Sequence, residues 1–152
     1  MRLGETDVRA IGLGTLLAGS ITFVHVAAGT GAITANTTRT LVMAIALAAV
    51  PAGVAVGLRT RSYDRPLIEG GSAAVCGTVL GVLGWAILRA ATVEGLALAY
   101  RLDVVFVVVA RNGLVFAAVF PFLFLVGGYT AARVTEWRAR PIDDELTIGR
   151  FR

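Results

Sequence analysis

His25 is the one histidine in this chain and lies inside a long apolar stretch, with Thr22 one helical turn before it. Imidazole changes charge near neutral pH and binds metals, so a proton relay or a metal or haem ligand is the chemistry to consider. An ionisable group within such a stretch is by default a functional candidate. The simpler account is a neutral ring bonded to the Thr22 hydroxyl. One histidine cannot build a multi-histidine centre within one subunit, and the remaining soft ligands are Cys76, Met1 and Met43. Neither a metal nor a cofactor is therefore expected. Cys76, alone in an apolar segment, reads as a small packing residue.

Arg89 and Arg111 complete the candidate polar set of His25, Thr22, Arg89 and Arg111. Each arginine can snorkel from a helix end to a polar interface. In the alternative, both line a cavity that attracts an anion. Pro51 and Pro121 fall mid-segment, where each frees a carbonyl and bends its helix. Broken helices of this kind occur in transporters and also in inert membrane helices.

No Gly-rich phosphate loop with lysine, no GxSxG and no HExxH is present, and the acidic residues fall at chain ends and in loops, Asp143, Asp144 and Glu145 in the tail. Acid–base catalysis within a membrane needs such groups inside the bundle. The chain is not expected to be an enzyme.

The strongest pattern is one of small residues. Gly12, Thr15, Gly19, Thr22 and Gly29 share a stripe in the first segment; Gly53 and Gly57 form a GxxxG; Gly70, Ala74, Gly77, Gly81 and Gly84 recur at three- and four-residue spacing. Stripes like these let helix backbones approach closely, the way helices associate in lipid. Helix packing is thus expected at Gly12, Gly19, Gly53, Gly57, Gly77, Gly81 and Gly84.

The elements that must carry these residues follow from composition. The chain has 152 residues, 57% hydrophobic and 16% charged, against roughly 25% charged in soluble domains. Its mean hydropathy is +0.79. Four apolar stretches, about 10–33, 41–58, 71–93 and 112–132, approach or exceed the ~20 residues that cross a bilayer as a helix. The fold class expected is all-α: a polytopic integral membrane protein with a four-helix transmembrane bundle over 1–132 and a charged cytoplasmic tail over 133–152. Residues 96–110 read as an outer interfacial helix, with Asn112 capping the fourth span so that Arg111 escapes burial; the alternative is one long fourth helix over Val104–Ala132 with Arg111 inside it. Pro66 and Gly70 mark turns in the loop between the second and third spans, and Pro141 stops the last helix. A cleaved signal peptide is the alternative for the first segment. Glu5 and Asp7 dilute its positive flank and its apolar run exceeds an h-region, so a retained span is expected.

Gly14-Thr15-Leu16-Leu17-Ala18 echoes Gly77-Thr78-Val79-Leu80-Gly81, each ahead of a proline-bearing segment. On that pattern the two hairpins would be parallel repeats.

All 14 basic residues are arginine, which fits codon bias in a GC-rich genome better than any one function. The pI near 10.2 arises from arginines at segment ends and does not imply nucleic acid. Ten of them (Arg2, Arg9, Arg59, Arg61, Arg65, Arg133, Arg138, Arg140, Arg150 and Arg152) fall on one side of a four-span chain. By the positive-inside rule both termini are cytoplasmic, in a cell membrane or in a virion or envelope membrane. Trp137 suits the aromatic belt on that side, and the nearby arginines suit anionic lipid headgroups. The function expected is structural or accessory, by helix packing in a homo-oligomer or larger membrane complex. The alternative is a small channel or transporter with a path near His25, Arg89 and Arg111.

Overall fold

The computed structural model of the chain describes residues 6–28, 37–60, 65–92 and 98–149, with side-chain surroundings for 6–27, 47–60, 65–92, 100–103, 105–106 and 118–139. Among these residues every regular element is a helix: α1 (Val8–Ala28), α2 (Thr37–Arg59), α3 (Pro66–Thr92) and α4 (Leu98–Gly149). Three helical stretches are long and apolar enough to cross a membrane: Val8–Ala27, Pro66–Thr92 and Ala118–Ala139. The described apolar part of α2, Leu47–Arg59, is shorter.

Several boundaries differ from the sequence reading, each for a local reason. Pro66 opens α3; it occupies the first helical position, where a missing N–H costs nothing. Glu69 and Gly70 are therefore helical, not loop residues. α4 is one helix of 52 residues, roughly 78 Å long at 1.5 Å per residue. Residues 98–110 are thus not a separate interfacial helix, and Asn112 starts nothing. Pro141 does not stop α4, since a proline removes a single ladder bond and a helix can continue past it with a bend. Positions 29–33 of the expected first span, 96–97 of the expected interfacial helix, Arg2, Arg61, Arg150 and Arg152 lie outside the described residues.

The helices alternate in direction. α1 packs on α2 and α3, α4 packs on α2 and α3, and α2 also touches α3. Among the described residues α1 and α4 make no contact, so they stand at opposite corners with the α2–α3 pair as the short diagonal. Alanine dominates the centre. Ala18, Ala48, Ala49, Ala52 and Ala74 surround Leu123, and Ala10, Val56, Ala73 and Ala131 form a second cluster. With side chains this small, dispersion contacts are won by bringing backbones together.

The two Gly-Thr pairs pack alike only in part: the glycine of each lies at the α1–α3 contact. A Cβ on Gly14 would lie 2.7 Å from Val56 of α2 and 2.9 Å from Ala73 of α3, whereas one on Gly77 would meet Thr15 and Ala18 of α1. A full repeat would set Gly77 against α4 as well as α1. Pro51 is half-buried and Pro121 exposed, so the prolines are not equivalent either.

Candidate functional site

The densest polar construction lies where α1 and α3 begin and α2 ends. α1 starts there because Asp7 caps it: its Oδ1 accepts the backbone N–H of Arg9 and of Ala10, both at 3.1 Å. A carboxylate in that position satisfies two of the four unpaired donors of the first turn and complements the helix dipole.

Glu69, in the first turns of α3, is fully buried. Its Oε1 accepts the backbone N–H of Asp7 at 2.8 Å, and its Oε2 accepts the Thr60 hydroxyl at 2.5 Å. The second distance is in the range of a charge-assisted O–H to carboxylate bond. The carboxylate thus stands between the N-terminal ends of α1 and α3, where the partial positive charge of both helices stabilises it.

Arg138 of α4 provides the opposite charge at the opposite kind of helix end. Its Nη1 donates to the carbonyl of Gly57 at 2.8 Å and to that of Thr60 at 3.2 Å, where α2 leaves carbonyls without intrahelical donors. The buried Thr135 hydroxyl donates to Ala131 at 2.8 Å and lies 3.5 Å from the Gly57 carbonyl. Residues 133–139, expected to belong to a free tail, are therefore part of the bundle. Thr60 joins the two halves, its hydroxyl serving Glu69 and its carbonyl serving Arg138.

Sequence reasoning missed Glu69, Asp7, Thr60 and Arg138. Glu69 reads as a loop residue when α3 is started at Gly71. The available signal was Pro66, which as a first helical residue carries the helix back over Glu69 and buries it.

The glycines of the expected packing set differ in their surroundings. A Cβ on Gly77 would lie 2.6 Å from the Thr15 carbonyl, and one on Gly81 2.6 Å from the Gly19 carbonyl, so α1 and α3 meet backbone to backbone. Gly53 faces the Gly127 carbonyl, and a Cβ on Gly57 would come 2.7 Å from the Ala131 carbonyl, which closes α2 on α4. Gly70, already part of the α3 stripe in the sequence, joins Gly71, Gly127 and Gly128 in a third seam between α3 and α4; the last three were not in the expected set. Gly12 is different: it faces open space. Gly84 has only ordinary contact with Phe23.

The candidate polar set is only partly brought together. Thr22 and Thr78 are buried, and among the described residues neither hydroxyl has a hydrogen-bond partner; the same holds for Nε2 of His25. The expected Thr22–His25 bond is therefore not made. His25 lines a shallow groove of about 450 Å³ with Ser20, Ile21, Val24 and Leu47. A neighbouring groove of about 470 Å³ lies between α1 and α3. Arg89 is exposed and lines neither. Arg111 lies within α4, and its side chain is outside those described. Cys76, expected to pack, is free and exposed. Among the described residues no group of three or more His, Cys, Asp or Glu side chains could hold a metal ion.

No protein-family model matches this chain, and no match was found among curated proteins or solved structures.

Proposed function

We propose that this chain is a four-span membrane protein with a structural or accessory role, acting through helix packing as a subunit of a homo-oligomer or larger membrane complex. The observation that carries this reading is the use of glycine. Backbones meet at Gly19, Gly77 and Gly81, at Gly53 and Gly57, and at Gly70 and Gly127, which is how helices associate when lipid removes the hydrophobic drive between them. An interior closed this way leaves little width for a path.

Three stretches qualify as spans by length and composition. α2 is 23 residues long and touches all three other helices, so it follows them across the bilayer. The sidedness also has support. Arg9, Arg59, Arg65 and Arg138 all lie at the Glu69 end of the bundle, and under the positive-inside rule that end is cytoplasmic. Leu16, Leu80, Ile87 and Leu125 are exposed and suit contact with lipid chains, while Arg59, Arg65 and the exposed Arg133 and Trp137 suit anionic headgroups.

The test is mass in mild detergent. An assembly heavier than one chain, or a partner held through purification, is the expected result; a strict monomer with nothing bound would overturn the reading. A cysteine introduced at Ser62, in a Cys76→Ser background, should label from the cytoplasmic side only.

A channel or small transporter is the second reading, favoured by the unpartnered Thr22, Thr78 and His25 atoms. It requires liposome flux that falls when His25 and Arg111 are replaced together. Flux that is unchanged by that double replacement removes the assigned path.

A further inference from the structure

We infer that Glu69, together with Arg138, sets the register of the bundle: the glycine seams supply close packing without a unique alignment, and the buried Glu69 and half-buried Arg138 contacts choose one. The seams are nearly periodic. On α3, Gly70, Ala74, Gly77 and Gly81 follow at spacings of four, three and four, and they face Thr15, Ala18, Gly19 and Thr22 or the Gly127–Ala131 stretch. A slide of one turn, about 5.4 Å, again sets small residues against small residues at several of these points, as when Gly81 moves from Gly19 and Thr22 to Thr15 and Ala18. Between α2 and α4 the same slide would bring Gly53 to Ala131 and Gly57 to Thr135.

The polar contacts do not repeat. Glu69 ties α3 to the backbone of Asp7 ahead of α1 and to Thr60 after α2. Arg138 ties α4 to the carbonyls of Gly57 and Thr60. Through Thr60, two side chains connect all four helices, and a one-turn slide of α3 or of α4 breaks both bonds that its own side chain makes. A slide of α3 would also leave a buried carboxylate without donors, a far larger penalty than any difference between small-residue contacts. A single buried polar residue fixing the alignment of apolar helices is the best-attested use of such groups. The inference concerns packing alone, so it stands or falls separately from the accessory role proposed above.

The experiment is cross-linking in a Cys76→Ser background with a short bis-thiol reagent. Phe23→Cys with Gly84→Cys reports the observed register, because a Cβ on Gly84 lies 3.6 Å from the Phe23 ring. Ala27→Cys with Gly84→Cys, and Phe23→Cys with Leu88→Cys, report slides of one turn in either direction. With Glu69 present, the first pair should dominate. Glu69→Leu should lower the ratio of in-register to slipped product tenfold or more. Thr60→Val, which removes one donor and keeps the shape, should give an intermediate ratio. A ratio unchanged in folded Glu69→Leu overturns the inference. If Glu69→Leu fails to fold, an unchanged ratio in Thr60→Val does the same.

Discussion

The Glu69 end of the bundle and the middle of the α1–α3 seam handle buried polar groups in opposite ways. At the Glu69 end, Asp7, Thr60, Glu69, Thr135 and Arg138 all take part in hydrogen bonds, and those of Asp7, Glu69 and Arg138 meet helix termini that lack intrahelical partners. In the middle of the seam, Thr22 and Thr78 are as deeply buried, yet their hydroxyls bond to nothing. The difference teaches where polarity is useful in this fold. Helix ends present unpaired N–H and C=O groups that reward a side chain able to meet them. Mid-helix backbone is already paired, and the Thr22 and Thr78 hydroxyls, unlike those of Thr130 and Thr135 on α4, do not turn back onto a carbonyl of their own helix. Small size and polarity are separate resources, used at different places along the same helices.

The largest expected effect breaks the seam itself. Gly53 has the Gly127 carbonyl, Thr130 and the Ala131 backbone within reach of any added Cβ. Those are mostly backbone atoms, which cannot swing aside. Gly53→Val should destabilise the bundle by about 3 kcal/mol or more, the upper range of overpacking, read as loss of the folded species in detergent unfolding. Gly12→Val is the internal comparison. Gly12 has open space around it, and its substitution should change stability by less than about 0.5 kcal/mol. Equal effects at the two positions would mean that close approach is not what holds the helices.

How much of this was legible beforehand depends on the kind of signal each feature leaves. Helix content and approximate spans were written in the length of the apolar runs. Spacing exposed most of the packing glycines, because a stripe at three- and four-residue intervals is a local property. Gly12 belonged to the same stripe and packs against nothing, since spacing cannot say whether a neighbour is present on that side. The Glu69 site was illegible for a different reason. Its partners, Asp7, Thr60 and the Arg138–Gly57 contact, lie 62, 9 and 81 residues apart in sequence, and only the folded arrangement makes them neighbours. The continuity of α4 was missed because Asn112 and Pro141 are boundary residues by propensity alone, and propensity is a weak prior once packing decides.

A middle-sized effect sharpens the other half of the comparison. Arg138 donates to two carbonyls at the end of α2 and is half-buried. Arg138→Ala leaves those carbonyls unmet and opens the α2–α4 junction, at a cost of about 1–3 kcal/mol. Arg138→Lys should recover only part of it: both bonds come from Nη1 at the tip of the guanidinium, a position that the shorter, more strongly hydrated ammonium does not reproduce. Thermal unfolding in a fixed detergent gives both values. Full recovery by lysine would mean that charge near the helix terminus, rather than paired donation, is what α2 requires.

The smallest expected effect is the most telling, because its sign opposes that of the others. If the Thr22 and Thr78 hydroxyls are buried without partners, removing them relieves a desolvation cost and sacrifices no bond. Valine keeps the β-branched shape that fits against Gly81, where the Thr22 Cβ would lie 2.8 Å from an added Cβ. Thr22→Val and Thr78→Val should therefore leave stability unchanged or raise it, by up to about 1 kcal/mol each. Thr60→Val, the same chemical change at the Glu69 end, should lower it by about 1–2 kcal/mol, because there the hydroxyl serves a buried carboxylate. Measured side by side in one detergent, the three variants isolate the hydroxyl while holding volume nearly constant. A loss at Thr22 or Thr78 as large as that at Thr60 would show that the seam hydroxyls are engaged in the native assembly, by a neighbouring subunit or by water. The contrast between the two regions would then collapse, and the second functional reading would gain at the expense of the first.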